Sequence, residues 1–287
     1  MTNNITVIIP TLGSRRDFLI QAIDSVNRQS LPPLEIIIVN NGKEILHDVD
    51  YSKFSNFPIS ITNIVYRAGA SQARNFGATV AKGSLLAFLD DDDLWEPNYL
   101  EEMHREIVSS EAKCVISRIA KLEDDKVSNL FDATQYLTQR YFLLMNPGVT
   151  GSNLMIERNY FLTLGGYDCK LTTGEDGDLI LNILDIGGSI AVCSSTQAVM
   201  RVHRRERLTS HESLASGYKA LYLKYRHRVG TRDTMYLIWR YKREEYRSEK
   251  RVIKFLRMLF WSGIIVLIRR TPKSIYVMQK YPDSNTE

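Results

Sequence analysis

The sequence is poor in cysteine and has no long apolar run, no low-complexity linker and no internal repeat. Each shortage excludes something. The three cysteines, Cys114, Cys169 and Cys193, are odd in number and widely spaced; they fit no zinc pattern and suit a reducing compartment. The opening stretch MTNNITVIIP places no basic segment ahead of a long apolar one, so no signal peptide is expected and a cytoplasmic location follows. The most apolar piece of the carboxyl-terminal region, Met258–Ile268, is eleven residues long, whereas a bilayer-spanning helix needs about 20. Disorder is excluded from the other side: 44% hydrophobic and 10% aromatic residues suffice for a sizeable core.

What is present is a divided charge. The net +4 conceals a carboxyl-terminal region, residues 201–287, with 21 basic and 8 acidic residues, while residues 1–200 hold 16 basic and 25 acidic. Two regions with different partners are implied. We place the boundary at residue 210, with a basic helical region over 211–287. No nucleic-acid motif accompanies the basic region, and the acidic face argues against nucleic acid as a partner.

Strand-like and helix-like patterns alternate along the first two hundred residues. Ile5–Pro10 (ITVIIP), Leu34–Val39 (LEIIIV), Ile59–Tyr66 and Leu85–Leu89 read as strands. Arg15–Gln29 has apolar residues at helical spacing, Ser71–Ala81 reads as a helix capped by Ser71, and Pro97 opens a third helix running to Ser109. Lys113–Leu122 and Ser152–Glu157 look like strands, Ala133–Met145 and Glu175–Leu184 like helices, and Gly165–Asp168 like a turn. The alternation predicts an α/β fold with a mainly parallel sheet and helices on both faces. Ligands of such sheets gather at the carboxyl ends of the strands, where Asn40 and Asp90 both fall.

Asp90, Asp91, Asp92 and Asp93 directly follow the fourth strand. Adjacent like charges repel, and more strongly as the dielectric falls, so a positive partner is expected. Carboxylates are hard oxygen donors suited to Mg²⁺ or Mn²⁺, which use one or two of them together with phosphate oxygens. If the strand continues, Asp90 and Asp92 face one side and Asp91 the other; Asp93 is left to support the pair or to cap the next helix.

The segments VIIPTLGSRRDFLIQAIDSVNRQ, EIIIVNNG, GASQARNFGATVAKGSLLAFLDDDDLWEPNYL, GSNLMIERNYFLTLGGYD and GEDGDLILNIL resemble, in order, the family 2 glycosyltransferases. The likeness covers about residues 5–205. It implies the nucleotide-diphospho-sugar transferase (GT-A) fold, a nucleotide-sugar half over 1–110, an acceptor half over 111–210, and an inverting transfer from a nucleotide sugar, a UDP-sugar first.

By the same resemblance Pro10 and Thr11 line the nucleotide site and Arg74 lies near the nucleotide. Asp90 and Asp91 belong to the donor site, Asp90 on the ribose side, and Asp92 is the metal ligand. Where the family carries an acidic residue after the second strand, this chain has Asn40, which would have to hydrogen-bond the base instead. Asp176 corresponds to the family base, and a carboxylate within reach of an acceptor hydroxyl can take its proton. In MRVHRRERLTS, His203 offers an imidazole to the metal, and Arg201 or Arg204 a bidentate grip on phosphate.

The basic region and its apolar, basic-flanked stretch suggest either contact with an anionic membrane surface or a helix capping the core. With membrane contact, the acceptor is a polyprenyl-diphosphate-linked saccharide of surface-polysaccharide synthesis. Two other readings stay open: a sugar-phosphate nucleotidyltransferase, whose glycine-rich loop is here reduced to Thr11-Leu12-Gly13-Ser14-Arg15, and a non-catalytic carbohydrate-binding protein.

Overall fold

Strand β1 (Ile5–Thr11) is buried along its whole length, which requires cover on both faces and neighbours on both sides. It has them. In this computed structural model, which describes residues 4–66, 68–131, 138–146, 148–203 and 211–248, β1 pairs in parallel with β2 (Glu35–Asn40) and β4 (Leu85–Phe88), and β2 pairs in parallel with β3 (Ile59–Asn63). The order continues from β4 through β8 (Leu154–Glu157), β6 (Cys114–Glu123) and β9 (Ile190–Arg201) to β5 (Leu94–Trp95); β7 (Lys126–Phe131) pairs with β6 off this path.

Helix α1 (Arg16–Asn27) turns Leu19, Ala22, Ile23 and Val26 into the core. Residues of β1, β2 and β4, together with Trp95, Tyr99 and Met103, belong to the same apolar cluster. Fully burying each large apolar side chain contributes about 1.5–3 kcal/mol, so this cluster fixes which strands are central. The register then aligns their carboxyl ends: Thr11 faces Asn40, and the Leu89 N–H donates to the Ile8 carbonyl at 3.1 Å. Asp90–Asp93 follow at that edge.

The parallel half agrees with the sequence reading; beyond β4 the sheet is mixed. β8 runs antiparallel to both β4 and β6, and β6 and β9 are parallel. Helix α2 (Asp48–Tyr51) precedes β3, and α3 (Ala70–Val80) follows it. Ser71 does not cap α3: Gly69 holds that position, with φ +93°, and Ser71 is buried inside the first turn. Helix α4 spans Tyr99–Ser110 with Asn98 at its N-cap, two residues later than Pro97 suggested. Helices α5 (Gln139–Leu144), α6 (Arg158–Thr163) and α7 (Glu175–Asp185) complete the described part of this unit. Residues 133–137 of the expected 133–145 helix lie outside the described residues.

Contacts divide the chain into residues 1–207 and 208–287. In the second unit, α8 (His211–Tyr225) and α9 (Thr231–Ser248) form a hairpin. Arg240 lies 3.8 Å from the centre of the Tyr218 ring, and His211 Nδ1 is 2.8 Å from Glu244 Oε2. Burial pushes the Glu244 carboxyl up, but Arg243, His211 and Arg247 outweigh it and hold the carboxyl below its usual range. Among the described residues no helix is long and apolar enough to cross a membrane. Met258–Ile268 and Arg204 lie outside them.

Candidate active site

Strand β4 ends at Phe88, and Asp90–Asp93 form a turn in which the Asp93 N–H donates to the Asp90 carbonyl at 3.1 Å. The strand alternation used to pair Asp90 with Asp92 therefore does not apply. The turn nonetheless brings one oxygen each of Asp90, Asp92 and Asp93 within 4.8 Å of one another, and sends Asp91 elsewhere.

Asp91 is 2% exposed, accepts a hydrogen bond from the Thr11 hydroxyl at 2.5 Å and is ion-paired with Arg15. Burial raises it to about 6 against the opposing pull of Arg15 and Thr11. Its carboxylate is thus tied to the ends of β1 and α1. Thr11 likewise spends its hydroxyl on Asp91, and Pro10 is buried within the β1–β2 ladder.

The turn is clasped by α1 and the end of β9. Arg15 Nη1 donates to Asp92 Oδ2 at 2.6 Å, and His203 Nε2 lies 2.9 Å from the same oxygen. The Arg201 N–H donates to Asp93 Oδ1 at 3.0 Å, its Nε to the Asp92 carbonyl at 3.1 Å, and its Nη2 to Gln21 Oε1 at 2.7 Å. The Arg201 guanidinium also lies 4.6 Å from the centre of the Phe18 ring. Arg201 thus fastens the strand end to the turn and to α1. Asp93 takes a further bond from the Ser152 hydroxyl at 2.6 Å; burial, then Asp90 and Asp92, hold its carboxyl well above the usual range against these donors. Trp95 holds the floor in place, its indole N–H donating to the Ser152 carbonyl at 2.7 Å and its ring stacking on Tyr99 at 4.5 Å.

The second carboxylate group begins α7. Arg74, only 3% exposed, joins the two groups: Nη2 donates to Asp90 Oδ1 at 2.5 Å and Nη1 to Glu175 Oε1 at 3.3 Å. Burial works against the charge on Arg74, but Asp90, Asp176, Tyr167 and Glu175 hold it firmly cationic. Gly151 makes room for the pair, since a Cβ there would stand 1.9 Å from Arg74 Nη2 and 2.8 Å from Asp90 Oδ1. Three shielded atoms here have no hydrogen-bond partner: Arg74 Nε, Tyr167 Oη and Asp176 Oδ1. Desolvation, then Glu175 and Asp90, push the Asp176 carboxyl well above its usual range, and Arg74 opposes them. Orphaned buried polar atoms are rare in native proteins and mark places where a ligand or water completes the bonding.

Asn40, expected at the base, is engaged within its own loop. It is 1% exposed; its amide donates to the Glu44 carbonyl and to Asn63 Oδ1, both at 2.7 Å, and its Oδ1 accepts from the Gly42 N–H at 2.9 Å. It holds the loop after β2 in shape. Arg15 was absent from the sequence-based set, as was the role of Ser152. The available signal for Arg15 was electrostatic: four aspartates need cations, and Arg15 follows the strand beside them.

The oxygen-rich set Asp90, Asp92 and Asp93, with the His203 imidazole at its rim, fits a hard divalent cation. Several known proteins resemble the chain. It is 35% identical over 107 residues to an uncharacterized glycosyltransferase, YwdF, of Bacillus subtilis; the match spans 37% of this chain and 39% of that protein. It is 24% identical over 180 residues to the Escherichia coli UDP-Glc:alpha-D-GlcNAc-diphosphoundecaprenol beta-1,3-glucosyltransferase WfgD, spanning 63% of this chain and 69% of that one.

Among solved structures, TarS 1–349 of S. aureus in complex with UDP-GlcNAc superposes with a TM-score of 0.64 at 12% identity, covering 94% of this chain and 82% of that one. GalNAc-T7 with UDP, GalNAc and Mn²⁺ superposes with a TM-score of 0.56 at 19% identity, covering 74% and 47%. The fold is the GT-A arrangement that these glycosyltransferases share. Residues 6–164, more than half of the sequence, match the family described as Glycosyl transferase family 2, and the chain belongs to that family.

Proposed function

We propose that this protein is an inverting, metal-dependent glycosyltransferase that moves a sugar from a nucleoside-diphosphate donor, a UDP-sugar first, to a polyprenyl-diphosphate-linked saccharide. One observation carries the reading: Asp176 Oδ1 is buried without a partner beside an arginine that also grips Asp90. That one arginine bonded to both Asp90 and Glu175 supports a base and a cation-binding turn acting together, as a single displacement requires.

Asp176 takes the proton of the acceptor hydroxyl as that oxygen attacks the anomeric carbon. Its raised proton affinity, set by burial and Glu175, favours acceptance of that proton. Arg74 keeps the base and Asp90 in register. Asp90, Asp92 and Asp93 would hold Mn²⁺ or Mg²⁺, with His203 beside them; when bound, the ion neutralises charge on the leaving diphosphate as a Lewis acid. Arg15 and Arg201 add positive potential on the same side.

The donor class is supported by the UDP-sugar in the TarS complex and by WfgD, whose name gives both UDP-Glc and a diphosphoundecaprenol acceptor. The excess of basic residues over 201–287 supports peripheral attachment to an anionic membrane face, which vesicle flotation with and without anionic lipid tests at low salt. The decisive experiment screens UDP-, GDP- and dTDP-sugars with Mn²⁺ or Mg²⁺, following donor turnover with and without a diphosphate-lipid acceptor. Turnover that needs both cation and acceptor is expected. Release of pyrophosphate from a nucleoside triphosphate, or no donor turnover at all, overturns the reading.

A further inference from the structure

Arg15 shares its guanidinium between two carboxylates of unequal freedom. Nη2 is ion-paired with Asp91, which is buried and also held by Thr11. Nη1 lies 2.6 Å from Asp92 Oδ2, which is half-buried and also engaged by His203 Nε2 at 2.9 Å. The backbone of Arg15 is fixed, since its carbonyl accepts from the Phe18 and Leu19 N–H groups, both at 3.0 Å, at the start of α1. Only the outer half of the side chain has room to choose.

We infer that Arg15 is a positioning residue that competes with the divalent cation for Asp92 and releases it when a diphosphate supplies the missing negative charge. The inference rests on the metal-dependent reading above. If Asp92 held a divalent cation, its carboxylate would no longer be free to accept from Nη1, and a guanidinium beside two further positive charges would be repelled, the more so where the site is partly desolvated. Nη1 therefore leaves Asp92, while Nη2 stays on buried Asp91. The freed N–H groups are planar donors of the geometry that phosphate oxygens accept. Arginine and cation thus coexist only with the anion between them. Cation binding is weak alone and strong with nucleoside diphosphate, so the protein loads the two together.

The test is a Mn²⁺ titration of the full chain followed by electron paramagnetic resonance, with and without UDP, for the wild type, R15Q and R15K. R15Q is expected to bind Mn²⁺ alone about tenfold more tightly, and UDP is expected to improve its Mn²⁺ affinity by about tenfold less than in the wild type. R15K keeps the charge and is expected to stay near the wild type for Mn²⁺ alone, while losing part of the UDP effect with the planar fork. If R15Q alone unfolds, R15Q/D91N removes both members of the buried pair and carries the same expectation. Equal or weaker Mn²⁺ affinity in the charge-free variants, or an undiminished UDP effect, overturns the inference and leaves the metal-dependent reading standing. Failure of every protein to bind Mn²⁺, with or without UDP, overturns both.

Discussion

The carboxylates after β4 and those that open α7 are chemically alike but differently paired. At the turn every aspartate is answered: Asp91 by Arg15 and Thr11, Asp92 by Arg15 and His203, Asp93 by Ser152 and the Arg201 N–H, Asp90 by Arg74. At α7 two acids share the far end of that one arginine, and an oxygen of Asp176 is left shielded and unpaired. Answered charge fixes geometry; unanswered charge is available for proton transfer. On the proposed mechanism the difference separates the carboxylates that would hold a cation from the one that would take the proton.

The largest break of that contrast comes from removing the reactive acid. Asp176→Asn is expected to lower turnover about 10³-fold while leaving the melting temperature unchanged or higher, because a buried unpaired acid is lost; UDP release and circular dichroism measure the two. Asp92→Asn should lower turnover about 100-fold and abolish Mn²⁺ binding by calorimetry, whereas Asp91→Asn should retain Mn²⁺ binding. Equal loss in both would erase the distinction drawn within the turn. Gly151→Ala tests the link between the two groups. Its Cβ collides with the Arg74 guanidinium, so a cost of about 1–3 kcal/mol in denaturant unfolding and about a tenfold drop in kcat/KM are expected.

The smallest effect is in pH. Asp176 works ionised, so the acidic limb of kcat/KM lies higher than for an ordinary carboxylate. Removing the negative neighbour in Glu175→Gln should move that limb down, and removing the positive one in Arg74→Gln should move it up, each by about one pH unit. Shifts of the same sign in both variants would show that the pair does not act on Asp176 through charge.

The parallel half of the fold was legible because β1 and β2 carry the β-branched runs Ile5–Ile9 and Ile36–Val39, a composition that suits buried strands. The long strand β9 was not legible. Its centre, Ser194-Ser195-Thr196, is polar where the pairing with β6 slips, between Ser117 and Arg118, and that slip erases the alternation a strand needs to be read. The gathering of Asp90 and Asp92 was anticipated by an argument that fails in detail, since the backbone there is a turn. Arg15 stayed hidden because its neighbour Arg16, exposed beside the Tyr51 ring, has the same chemistry and an equal claim by sequence. Only the third dimension chooses between them. Asn40 shows the reverse: its position at a strand end was legible, but the bonds its amide makes to its own loop were not.

The two-residue strand β5 has a consequence out of proportion to its length. With β4 before it and β5 pairing onto β9 after it, the intervening segment is pinned at both ends by main-chain bonds to one sheet. Those anchors are indifferent to which side chains the segment displays. A change at Asp92, which is less buried than Asp91 or Asp93, can therefore leave the path of the segment in place, so that a loss in Asp92→Asn reads as the loss of a carboxylate and not of the turn.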